Sequence, residues 1–72
     1  MTGKEAVAEV LKRIKEGRCV KVWTADRSEE IAAHWCGMYI IYYQGRELCR
    51  GLNGAAEIIR EKFENQPKVY IL

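Results

Sequence analysis

The stretch DRSEEIAAHWCG, Asp26 to Gly37, decides the fold. Asp26 and Glu29 stand at capping-box spacing and Ser28 is a second candidate cap. Ile31, Ala32 and Trp35 then recur at helical intervals before Gly37, a natural stop. The pattern predicts a short helix over 28–36. The competing reading extends the next strand through part of 31–37, which makes the chain a three-stranded meander flanked by helices.

On the upstream side, CVKVWTA, Cys19 to Ala25, alternates β-branched and aromatic residues with polar ones, which is a strand pattern. Downstream, Met38 to Tyr43 and Arg46 to Leu52 flank Gln44 and Gly45, a two-residue connection whose glycine can take the positive φ of a hairpin turn. Asn53 then caps a helix over 54–65 with Ala55, Ile58, Ile59 and Phe63 as its apolar face. Pro67 ends that helix and Lys68 to Leu72 form a last strand. At the other end, Thr2 and Glu5 have capping-box spacing, and Val7, Val10, Leu11 and Ile14 repeat helically up to Gly17, predicting a helix over 3–16. From residue 19 the order is that of a ferredoxin-like βαββαβ sandwich, so the expected fold is α+β, an N-terminal helix followed by that sandwich. This topology hosts many unrelated activities and carries no function by itself.

With 72 residues, 49% of them hydrophobic, the chain is expected to form one domain over 1–72. A chain of this size buries only about 60% of the surface it exposes when unfolded, which leaves little for an enclosed active site. No apolar run approaches the ~20 residues of a spanning helix. The first residues lack the apolar core of a signal peptide, and three cysteines without paired spacing suit reduced thiols, so the expected compartment is the cytoplasm. Twelve basic against ten acidic residues give a formal charge of +2, too small to act except through position.

Position is readable from strand parity. A two-residue turn at Gln44 and Gly45 sets Tyr43 opposite Arg46, Ile41 opposite Leu48 and Tyr39 opposite Arg50. Met38, Ile40, Tyr42, Glu47, Cys49 and Gly51 form the other, more apolar side, the expected core side. In the outer strands Val20, Val22, Val69 and Ile71 separate from Lys21, Trp23, Lys68, Tyr70 and Leu72. Aligning the apolar sets collects Trp23, Tyr39, Tyr43, Arg46 and Arg50, with Lys21 and Tyr70, on one aromatic and basic surface. Trp, Tyr and Arg dominate interface hot spots, so this surface is the candidate partner-binding site. The first helix lying across it would instead make a second small core of Trp23, Ile41 and Leu48, and a two-fold dimer would cover it too.

The expected function is therefore that of a small non-enzymatic accessory protein, a protein–protein interaction module for a partner of unknown identity or for a second copy in a homodimer. The alternative is single-stranded nucleic-acid binding by the same face, extended by Lys12, Lys15 and Arg18 at the basic end of the first helix. Against it stand the small net charge and the lack of an aromatic in Arg46 to Arg50, where an RNA-binding sheet places one. No membrane, metal or cofactor is expected. His34, Cys36, Cys19 and Cys49 lack the close ligand pairs of a zinc site, and Gly45, Gly51 and Gly54 lack phosphate-loop spacing. Asp26, Glu29 and Glu30 are accounted for as helix-start acids without catalysis.

Overall fold

In the computed structural model the deciding stretch is a turn followed by a strand. The structure describes residues 1–35, 37–51 and 54–72, with Tyr39 and Cys49 described as backbone only. Asp26 Oδ1 accepts hydrogen bonds from the Thr24 hydroxyl (2.8 Å), the Ser28 amide (3.0 Å) and the Ser28 hydroxyl (2.8 Å). Arg27 takes a left-handed φ of 62°. The capping signature is thus spent on a side-chain-closed turn that reverses the chain, an alternative use open to Asp and Ser. The predicted helix over 28–36 is replaced by strand Glu30–Trp35. Its Glu and Ala residues favour helix by only a few tenths of a kcal/mol each, and pairing along both edges of a central strand outweighs that.

The element order is α1 (Gly3–Lys15), β1 (Val20–Thr24), β2 (Glu30–Trp35), β3 (Tyr39–Tyr43), β4 (Arg46–Arg50), α2 (Ala55–Phe63) and β5 (Val69–Ile71). The described residues form an α+β fold, with two helices and one five-stranded antiparallel sheet in the order β4-β3-β2-β1-β5. The ferredoxin-like order is not found, because its first helix is missing. The meander that replaces it has four strands, not three.

At the start of α1, Thr2 and Glu5 form the expected capping box. Hydrogen bonds from the Thr2 amide and hydroxyl hold the Glu5 carboxyl below its usual range. Gly3 lies against the far end of α2: its amide donates to the Gln66 carbonyl (2.9 Å), and a β-carbon there would overlap the Phe63 carbonyl oxygen. The two helices cover the same face of the sheet. Ala6, Val7, Val10 and Ile14 of α1 and Ala55, Ile59 and Phe63 of α2 join Val20, Val22, Ile31, Ala33, Ile41 and Val69 in one buried cluster. The Asn53 cap, Leu52 and Cys36 lie outside the described residues. Gly54, the residue before α2, offers no side-chain cap.

The hairpin turn follows the expectation, with Gln44 and Gly45 at φ 49° and 83° and Tyr43 opposite Arg46. Beyond it the register departs. Tyr42 faces Glu47 but Ile41 faces Cys49 and Ile40 faces Arg50, so Leu48 is an extra, bulged residue. The expected pairs Ile41–Leu48 and Tyr39–Arg50 do not form. The core side of the hairpin is also the reverse of the expected one: Ile41 is fully buried and Tyr43 packs against the cluster. Both edges of the sheet are blunted. The outer amide and carbonyl of Val69 bond to Met1 (2.8 and 3.2 Å), and β4 carries the bulge and three charged side chains.

Candidate functional site: the open face of the sheet

The register from β5 to β4 puts Tyr70, Trp23 and Lys21, Glu30, Ala32 and His34, Ile40 and Tyr42, then Glu47 and Arg50, on the side opposite the helices. Among the described residues no element packs on this side. Trp23 and Tyr70, paired across β1 and β5, stack with ring centroids 6.0 Å apart, and Tyr70 is 38% exposed. The Arg27 guanidinium lies 4.6 Å from the Trp23 ring and the Lys68 ammonium 5.5 Å from that of Tyr70. A second aromatic contact, edge to face at 5.6 Å, joins His34 to Tyr42.

Between the two aromatic pairs the surface dips, because β2 places only a methyl there. Ala32 is flanked by Lys21, Glu30, His34 and Tyr42, with Arg27, Gln44 and Gly45 completing an open depression of about 640 Å³. Glu30 Oε1 accepts from Lys21 Nζ (2.8 Å) and Arg27 Nη1 (3.3 Å). The bond from Lys21 is the main cause of a carboxyl held below its ordinary range, so Glu30 stays ionised at neutral pH. Gln44 is fixed at the rim, its amide donating to the Ser28 carbonyl at 2.6 Å.

Of the residues expected to bind a partner, Lys21, Trp23, Arg50 and Tyr70 share this face. Arg50 is there because of the bulge, which turns it to the side of Glu47 and pairs the two at 2.7 Å. Tyr43 is on the helix side, where its hydroxyl bonds to Glu29, which pushes its pKa up, and Lys62 lies 4.7 Å from its ring. Arg46 is in register with Tyr43, away from the depression. The Tyr39 backbone is in register with Trp35, and its side chain lies outside the described residues. Lys12, Lys15 and Arg18 lie on α1 and just beyond it, across the sheet from the aromatic pairs, so the basic stretch and the aromatic face do not merge.

Arg27, Glu30, Ala32 and His34 join this face from the stretch expected to be cap and helix, and Ile40, Tyr42 and Glu47 join it from the side expected to be the core. The available signal was the alternation of Glu30, Ala32 and His34 with Ile31 and Ala33, blurred by alanine on both sides. Among the described residues no three His, Cys, Asp or Glu side chains converge to hold a metal. The side chains of Cys36 and Cys49, two of the four weighed for zinc, lie outside them. Nor is any helix there long and apolar enough to cross a membrane. No protein-family model matches the chain, and comparison with curated proteins and with solved structures gives no match either.

Proposed function

We propose that this protein is a non-enzymatic interaction module that docks another protein on the open face of its sheet. The observation that carries the reading is that both helices cover one face while the other presents the Trp23–Tyr70 stack beside a depression floored by Ala32. Large, stiff aromatic surface with polar ends is what concentrates binding energy at protein interfaces. Five strands about 4.8 Å apart and five residues of about 3.3 Å give this face a footprint of roughly 400 Å². A lasting complex buries about 800 Å² per partner, so the face suits a transient partner better than a permanent face-to-face homodimer. The blunted edges oppose dimerisation by sheet extension. Three cysteines without paired spacing fit action in the reducing cytoplasm.

Replacing Trp23 and Tyr70 together by Ala tests the reading. Trp23 is only half-buried and lies on the side without helices, so the double variant is expected to stay folded by circular dichroism while losing proteins that co-purify with the wild type. Unchanged co-purification, together with unchanged sedimentation, refutes the reading.

A further inference from the structure

The open face carries four cations, Lys21, Arg27, Arg50 and Lys68, and two carboxylates, Glu30 and Glu47. The whole chain has twelve basic and ten acidic residues, so this face holds the entire formal surplus and the rest of the surface is balanced. Within the depression the imbalance is local. An ammonium has three N–H donors and a guanidinium five, yet Lys21 and Arg27 both converge on one oxygen of the single Glu30 carboxylate. Their side chains are about half exposed and rise beside an apolar floor.

We propose that the depression around Ala32 receives an acidic peptide segment of the partner, with an apolar side chain on the Ala32 floor and flanking carboxylates on Lys21 and Arg27. The inference rests on the docking role proposed above and names the chemistry of what docks. An aliphatic group on the floor would touch the Ala32 methyl and the Tyr42 ring. A partner carboxylate takes up donors that Glu30 leaves open, and Glu30 in turn repels a segment whose acid is placed over β2 itself, which fixes register. At about 640 Å³ the open depression has room for a few side chains of a segment laid across it. Nucleic acid fits less well, because Arg27 and Lys68 already lie over the Trp23 and Tyr70 rings on which bases would stack.

The test is a fluorescence-anisotropy titration with terminally blocked, dye-labelled pentapeptides. One has four acidic residues around a central leucine, a second has the corresponding amides, and a third is acidic around a central glycine. An oligothymidylate of equal charge is the fourth probe. The acidic leucine peptide is expected to bind at least tenfold more tightly than its amide counterpart and several-fold more tightly than the glycine peptide and the oligothymidylate. Arg27→Gly, which suits the left-handed backbone there, and Ala32→Glu, which fills the depression and cancels its surplus charge, should each weaken it at least fivefold with unchanged melting curves. Equal binding of the amide peptide, no binding of the acidic one, tighter binding of the oligothymidylate, or indifference to Arg27→Gly overturns the proposal. If it is overturned while the Trp23 and Tyr70 double variant still loses its partners, the face remains an interface and only the acidic chemistry is wrong.

Discussion

Ile40 and Ile41 are neighbours in β3 with opposite environments. Ile41 is fully buried beneath the helices, whereas Ile40 is partly exposed on the open face. Truncating Ile41 to Ala removes its transfer free energy and leaves a cavity, at a cost of about 3–4 kcal/mol. For Ile40 there is no cavity to leave, and losing half the transfer value of three carbons costs about 1 kcal/mol. A 72-residue domain has about 4–11 kcal/mol of stability in total, so Ile41→Ala takes a large part of it. With a urea slope near 1 kcal/mol/M, the unfolding midpoint should fall by about 3 M for Ile41→Ala and about 1 M for Ile40→Ala. Urea titrations followed by far-ultraviolet circular dichroism measure both. If Ile40→Ala costs as much as Ile41→Ala, the helices lie on the other face and the open surface is misassigned.

Gly3→Ala should destabilise by about 3 kcal/mol or more in the same assay, since the new methyl overlaps the Phe63 carbonyl and separates α1 from α2. Arg27→Gly should be more stable than Arg27→Ala by about 1 kcal/mol, because both lose the same side-chain contacts and only alanine keeps the left-handed penalty at φ 62°. Asp26 is held at about 2 by the Ser28 amide and hydroxyl and by the Thr24 hydroxyl. Its folded value is below its unfolded one, so its contribution is complete above about pH 5 and is lost as pH falls toward 2. Asp26→Asn should therefore flatten the acid limb of stability against pH between 5 and 2, and an unaltered limb would show that the turn does not depend on the carboxylate.

The parts of this fold legible in the sequence are those set by local chemistry. Thr2 and Glu5 cap α1 because both partners lie within one turn. Gln44 and Gly45 make the hairpin turn because two positive φ values are needed there. Val20, Val22 and Val69 face the core as strand parity requires. What failed depends on distant neighbours. Asp26 and Ser28 satisfy amides equally well in a helix cap or a tight turn, and only the two strands flanking β2 decide between them. In Met38 to Tyr43 both faces are apolar or aromatic, so parity alone cannot say which is covered. The Leu48 bulge has no glycine to announce it, and it alone brings Arg50 to the face of Tyr42 and Glu47. The candidate site was half legible for the same reason: Lys21, Trp23 and Tyr70 sit in strands correctly read, while Arg27 and Ala32 belong to the stretch read as cap and helix.

The central claim is that partners meet the sheet on the side away from the helices. A photo-cross-linking residue placed at His34, exposed beside the depression, or at Lys12 on the helix side, measures this in the cell, with and without Trp23→Ala. Discrete protein adducts from position 34 that disappear with Trp23→Ala, and none from position 12, are the expected result. Adducts from position 12 alone, adducts from position 34 indifferent to Trp23, or adducts to nucleic acid would contradict it.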